Sequence, residues 1–391
     1  MDEIEGSKKG KGDRKGTKCK KSYTAIIKQM KKIIASLLLL TFNSCYGLIG
    51  FFRTGGGGSA GTVTCYMKSI TFTSDSAKIP SSQTDFSALV SLSSDTNLAN
   101  YAQDDGDDIV FTLQDGTTKI SHEIEKFDGG TGELVVWVKV PTLATNTVIY
   151  MHYGSNTATN QQQGTVTWDS NYKGVWHLDE TSGTVYDSTS NANNGTPYGV
   201  IQDVVGKING ADSFDGTDDY ISVSSFSITS PVSFEFWIKA GTETKTNGRI
   251  LVRDANSAGN RAFAIQRNGT SLVIDTWNSA GTWYGLTSTN VVTEGIWKHY
   301  IYTISDTAIS LYTNGSFVNS ASFSGSLVNP SVQLDMGCDY YTSNYAYHGS
   351  TDEVRISNIV RSANWITTSY NSQNDPSTFF SLGSQETSTY Y

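Results

Sequence analysis

Two glutamates, Glu123 and Glu125, stand two residues apart in the run His122-Glu123-Ile124-Glu125. On a strand such a pair points the same way, with backbones about 7 Å apart. Paired carboxylates at that reach act as general acid and as nucleophile or base in glycoside hydrolysis. No substrate-positioning motif accompanies them, so a solvated polar face explains the pair equally well. Asp104-Asp105-Gly106-Asp107-Asp108 concentrates carboxylates but lacks the alternation of an EF-hand loop, and reads as a solvated turn. Asp212, Asp215, Asp218 and Asp219 also look like a metal site. Strand-like runs on either side, Ser213-Phe214 and Tyr220 to Val223, make a hairpin turn the expectation.

Sugar recognition needs flat aromatic faces with amides and carboxylates beside them. Two stretches supply these. In Trp277-Asn278-Ser279-Ala280-Gly281-Thr282-Trp283-Tyr284 aromatics flank a turn, and Asp339-Tyr340-Tyr341 is followed by Tyr345, Tyr347 and His348. The candidate ligand-binding residues are therefore Trp277, Trp283, Tyr284, Tyr341, Tyr345, Tyr347 and His348. Trp176, Trp237, Trp297 and Trp365 are expected in a core, the usual place of a Trp in a sandwich. The chain has no phosphate loop, no histidine pair at zinc spacing, and no nucleophile elbow set between a strand and a helix.

The elements that must position these residues are strands. Aromatics make up 12 % of the 391 residues and charged residues only 17 %, with abundant Gly, Ser, Thr and Asn between short apolar runs. Runs at Met67 to Phe72, Ala88 to Leu92, Ile109 to Leu113, Glu133 to Val140 and Thr147 to Tyr153 predict a β-sandwich over residues 63–160. A polar linker at 161–172 follows. From 173 the signals are stronger: Asn268-Gly269 and Asn314-Gly315 each sit between two strand-like runs, and Ser233 to Ile238 and Trp297 to Tyr302 alternate. About a dozen strands over 173–386 predict a jelly roll, with a short tail at 387–391. The fold class is all-β, with two sandwich domains.

Both segments resemble known families. The Asp104 to Phe111 run, His122 to Glu125, Trp137-Val138-Lys139-Val140-Pro141 and Ile149 to Gly154 resemble domain-of-unknown-function family 2341, which carries no assigned activity. Trp176-His177-Leu178-Asp179-Glu180, Asp187-Ser188, Asn194-Gly195-Thr196, Ser213-Phe214-Asp215-Gly216, Phe236-Trp237 and Asp352-Glu353-Val354-Arg355-Ile356 resemble the laminin-G-like, concanavalin-A-like superfamily. That resemblance implies one structural Ca²⁺, held by Asp187 and Asp352 with carbonyls around Asn194. Calcium accepts many neutral oxygens, so two carboxylates suffice. The alternative is that Asp187 caps a turn while Asp352 pairs with Arg355 or a backbone amide. Some enzymes of the superfamily carry Glu-x-Asp-x-x-Glu on a strand, and this chain does not.

The amino terminus reads as an export segment. Residues 1–32 hold 11 Lys and Arg against 4 Asp and Glu, leaving 17 against 33 in the remainder, an acidic body that repels nucleic-acid phosphates. The apolar segment 33–52 follows, then a glycine-rich linker at 53–62. Three versions stand: cleavage near Gly47, a lipid-modified Cys45, or an uncleaved span at 33–52 that attaches the chain to a membrane. Each places the body outside the cytoplasm, secreted or anchored at the surface. Cys65 and Cys338, one in each folded segment, are expected as two separate small hydrophobes. The expected function is binding of a glycan or a surface protein through the jelly roll, without catalysis and without nucleic acid. A purely structural surface or phage-appendage component is the alternative. A glycan hydrolase is the remaining one, and needs two facing acids about 5–10 Å apart in a cleft.

Overall fold

The computed structural model describes residues 64–254, 261–338 and 343–388. The export segment and Tyr341 lie outside the described residues. Among the described residues no helix is long and apolar enough to cross a membrane.

Alternation builds the sheets. In Val232–Ala240, Phe234, Phe236 and Ile238 enter one core while Glu235 and Trp237 face the other way. The first sandwich sets a six-stranded sheet against a three-stranded one. The six-stranded sheet runs Phe380–Leu382, Cys65–Phe72, Val148–Tyr153, Val110–Leu113, Lys119–Ile120, with Glu386–Ser388 also paired to Cys65–Phe72. The three-stranded sheet is Gln83–Leu92, Glu133–Leu143, His122–Asp128. Both contribute to one core cluster that includes Ile70, Phe72, Phe111, Val136 and Trp137.

The jelly roll has two larger antiparallel sheets. One, eight-stranded, centres on His348–Ser357 and Val232–Ala240, with Tyr172–Trp176 added beside His348–Ser357. The other, seven-stranded, runs Trp283–Ser288, Ser271–Trp277, Arg261–Asn268, Gly248–Asp254, Leu334–Met336, Tyr220–Val223, Gly195–Tyr198. Trp176, Phe214, Phe236, Phe263 and Tyr302 fill the space between them. The Asn314-Gly315 turn forms as predicted, with φ of 48° and 75° and Thr313 paired to Ser316. At the other hairpin Asn268 pairs with Ser271, so the two-residue turn is Gly269-Thr270, one residue later than the sequence suggests.

Three expectations change. The aspartates at 215–219 are not in a hairpin: Gly210–Asp215 belongs to the eight-stranded sheet and Tyr220–Val223 to the seven-stranded one. Their turn is a corner between sheets, closed by the Asp215 amide donating to Asp219 Oδ2 (2.8 Å). The jelly roll also does not run unbroken to 386. After helix Ala363–Asn374 the chain returns to the first sandwich, where Phe380–Leu382 and Glu386–Ser388 cover Cys65–Phe72. Trp365, expected in the jelly-roll core, instead packs with Ile366, Phe379 and Phe380 in the first sandwich's cluster, its ring 5.8 Å from Phe86. Apolar burial and the open edge of Cys65–Phe72 both favour this return.

The outer face of the eight-stranded sheet is buried as well. Val175, Ile208 and Ile301 belong to the first sandwich's cluster, and Trp237 stacks on Tyr370 of the helix at 5.9 Å. The described residues accordingly form one compact unit.

Phe379 is fully buried in this cluster. Phe379→Ala is expected to lower the unfolding free energy by about 3–5 kcal/mol in denaturant titration; a loss below about 1 kcal/mol would detach the carboxy terminus from the first sandwich's stability.

Burial holds His122 and His152 neutral, each pKa lowered from 6.5 to about 4. The unfolded chain binds protons there that the folded chain refuses. Their contribution is present above pH 6.5 and is lost as pH falls towards 4, by up to about 3 kcal/mol each. His152→Gln, able to keep a hydrogen bond to Thr112 Oγ1 (2.9 Å in the wild type), is expected to flatten the acid limb of stability against pH. An unchanged limb would assign it to other groups.

Candidate functional site

Two bulges aim acidic side chains at one place. Between His122–Asp128 and Glu133–Leu143 the register shifts between Ile124 and Lys126, leaving Glu125 as the extra residue. Between Val232–Ala240 and His348–Ser357, Glu235 pairs with Arg355 and Trp237 with Asp352, so Glu353 and Val354 oppose Phe236 alone. Glu353 adopts φ 53°, a region that side chains of its kind seldom enter. Bulges re-aim side chains in this way. His177, directly after strand Tyr172–Trp176, completes the meeting point.

The resulting cluster joins the two sandwiches. His177 Nδ1 lies 2.7 Å from Glu353 Oε1 and 3.5 Å from Glu125 Oε2, and Nε2 lies 3.7 Å from Glu123 Oε2. Trp168 Nε1 donates to Glu123 Oε2 at 2.6 Å, and Trp137 Nε1 to Glu125 Oε2 at 2.9 Å. Arg355 donates to Glu353 Oε2 at 2.5 Å and stacks over Trp137 and Trp168 at 4.2 and 4.8 Å. Its other partner is Glu235, at 3.7 Å, which also receives His299, Ser369 and Gln373.

Low dielectric sets the charges. Burial, reinforced by Glu353 and Asp179, raises the Glu125 carboxyl to about 8. His177 is raised well above its ordinary value, because Glu353 and Glu125 outweigh the burial that opposes its charge. Glu235 is held at about 2: Arg355 and His299 overcome its desolvation. The side chains of Glu125, Glu353 and His177 are 1 %, 0 % and 7 % exposed. The Glu123 and Glu125 pair thus belongs to the junction between the sandwiches, Glu125 at 1 % and Glu123 at 18 % exposure.

The residues expected at a calcium site belong to separate networks. Asp187 Oδ1 accepts from the Val175 and Thr189 amides, and Oδ2 from Thr189 Oγ1 and the Asn193 amide. Asn194 Oδ1 accepts from the Asp187 amide. These donors take the lone pairs an ion would use, which is the turn-capping arrangement. Asp352 Oδ2 accepts from the amides of Lys207 and Ile208, at 2.7 and 2.9 Å.

The aromatic candidates divide by face. Tyr347 is buried in the jelly-roll core, and Tyr284 packs inward on Phe323 at 4.9 Å. His348 sits on the eight-stranded sheet, Nδ1 2.5 Å from the Thr242 carbonyl. Trp277, Trp283 and Tyr345 stand at the outer face of the seven-stranded sheet. Arg261 lies over the Trp277 ring at 5.6 Å. Trp283 is 57 % exposed, and its indole lies over Gly285, where a Cβ would come within 2.5 Å of the ring. Its Nε1 donates to Asp275 Oδ1 (3.1 Å). Gln266 donates to Asp275 Oδ2 and accepts from Arg249, both at 2.7 Å, and Arg249 lies 4.7 Å over the Tyr345 ring. One diagonal polar row therefore links an aromatic at each end across four strands.

Sequence reasoning did not find the aromatic step at the other edge of this sheet. Tyr198 stacks on Tyr220 at 4.6 Å beside a 390 Å³ groove lined by Thr196, Ser222, Ser224, Ser225 and Gln333. The alternation of Tyr220–Val223, with Ile221 and Val223 in the core, carried the signal.

With two packed curved sheets and this motif order in place, the comparisons agree. Residues 215–367 match the family described as the Concanavalin A-like lectin/glucanases superfamily. The chain carries a domain of that superfamily. Residues 105–194 match Domain of unknown function DUF2341. The DUF2341 match contains Glu123, Glu125 and His177, and the concanavalin A-like match contains Glu235, Glu353 and Arg355, so the cluster is where the two meet. Among solved structures, the binding domain of Paraclostridial Mosquitocidal Protein 1 is 15 % identical over 52 % of each chain, with TM-score 0.43. The botulinum neurotoxin serotype D binding domain is 12 % identical over 52 % of each, with TM-score 0.41. The chain spans about half the length of these structures, and likeness so distant has no bearing on function. No curated protein matches the chain.

Arg355 neutralises carboxylates from two strands of the concanavalin A-like domain. Arg355→Ala leaves Glu353 and Glu235 buried without it and is expected to cost about 3–5 kcal/mol in denaturant titration. Arg355→Lys should recover only part, since an ammonium neither forks nor stacks as a guanidinium does. Near-wild-type stability of the Ala variant would deny the cluster its structural weight.

Proposed function

We propose that this chain is a surface or secreted glycan-binding protein whose ligand lies on the outer face of the seven-stranded sheet. The observation that carries this reading is Trp283, an exposed indole held flat over Gly285 and fixed by Asp275. A sugar stacks its C–H face on such a ring while neighbouring groups take its hydroxyls. Asp275 and Arg249 supply a carboxylate and a guanidinium in the row that ends at Tyr345, joined through the buried amide of Gln266. Because these side chains already bond one another, little conformational entropy is lost on binding. The DUF2341 segment acts as the base on which the binding domain is set, and export through residues 33–52 belongs to the same proposal.

A glycan array followed by calorimetry on the full chain tests it. Trp283→Ala is expected to weaken the best ligand by on the order of tenfold or more, and Asp275→Asn to weaken it less, with the fold intact by circular dichroism. Binding that survives Trp283→Ala would move the site elsewhere. A folded chain that binds no glycan would favour a scaffold component of a surface assembly.

A further inference from the structure

We propose that Glu125, His177 and Glu353 bind one divalent transition ion of the zinc class, clipping the first sandwich to the jelly roll. One ligand atom from each of these residues lies within 4.8 Å of the other two. Around an ion with bonds near 2.0–2.2 Å, tetrahedral ligand atoms stand about 3.3 Å apart. The Nδ1 of His177 already lies 2.7 Å from Glu353 and 3.5 Å from Glu125, so small shifts of side-chain ends would complete the shell.

Three further features fit a metal better than a plain ion-pair cluster. First, Glu125 Oε1 is buried with no hydrogen-bond partner. Unmet lone pairs in a sealed place are costly unless something accepts them. Second, each proposed ligand has an outer partner that would orient it. Trp137 holds Glu125, Arg355 holds Glu353, and Glu123 faces the Nε2 of His177 while Trp168 anchors it. Carboxylate behind histidine behind metal is a recurrent arrangement that fixes the tautomer and strengthens the ligand. Third, the charges are out of balance. With His177 neutral as a ligand, the carboxylates of Glu123, Glu125, Glu235 and Glu353 face one guanidinium, Arg355, a net charge of −3 that a dication between Glu125 and Glu353 would reduce to −1. A nitrogen ligand with only three protein groups suits a borderline ion and not calcium, which prefers six to eight oxygens.

Titrating the full-length, chelator-stripped chain with Co²⁺ while recording visible absorption tests the site. One Co²⁺ per chain with d–d bands, displaced by Zn²⁺ but not by Ca²⁺, is expected, and Zn²⁺ should raise the melting temperature. Glu125→Gln and His177→Gln should each abolish the bands, and Glu123→Gln should weaken binding about 10–100-fold. Ile296→Ser, at an exposed position of the jelly roll, should bind as the wild type does. Should a cluster variant fail to fold, the wild-type titration decides alone: no saturable uptake of Co²⁺ or Zn²⁺ overturns the proposal. Stoichiometric uptake that Glu125→Gln and His177→Gln leave intact also overturns it, because the ion is then held elsewhere.

Discussion

Arg355 lies with its guanidinium against two indoles and between two carboxylates, and both sandwiches are built around that position. Its strand belongs to the eight-stranded sheet, whereas Trp137 and Trp168 come from the preceding segment. A charge taken this far from water is tolerated only when paired and hydrogen-bonded. Glu353 and Glu235 meet that condition, and meeting it fixes where the first sandwich must sit. The bulge at Glu353 follows from the same demand, because a regular strand would turn that carboxylate away from its partner.

The outer face of the eight-stranded sheet explains why the two sandwiches act as one unit. A sheet face exposed to water carries polar residues, yet this one presents Trp237, Ile301 and Val175. These residues need a cover, which the helix Ala363–Asn374 and the first sandwich provide. The carboxy-terminal strands then return to pair with Cys65–Phe72, so the last described residues complete the sheet that the first described residues begin. These pairings join the two ends of the described sequence, and contacts so non-local form slowly.

Much of this was legible in the sequence because it rests on local chemistry. Asn314-Gly315 demands a turn by its own φ preferences, and alternation in Val232–Ala240 separates its two faces. The cluster was half legible: spacing put Glu123 and Glu125 on one strand, but nothing local signals that Glu353 bulges or that His177 waits opposite. Tyr347 and Tyr345 illustrate the same limit. Two residues apart near a turn, they read alike, and only the packing of Phe214 against Tyr347 separates the core side chain from the outward one. The carboxy-terminal return was hidden for a related reason, since Phe379 and Phe380 are apolar in any sandwich and the sequence does not say which one receives them.

The division of faces bears on where a ligand can sit. A jelly roll has two outer sheet faces, and here one is consumed by the junction that Arg355 organises. The seven-stranded sheet keeps the other, with Trp283 and Tyr345 at the two ends of its polar row and Tyr198 at the opposite edge. Strands about 4.8 Å apart make this seven-stranded face roughly 29 Å wide between its outer strands. Aromatic side chains thus stand on both outer strands of this face, Trp283 on one and Tyr198 on the other. The spacing between those rings is set by the five strands that separate them, in the sheet that packs across the core from the one the junction covers.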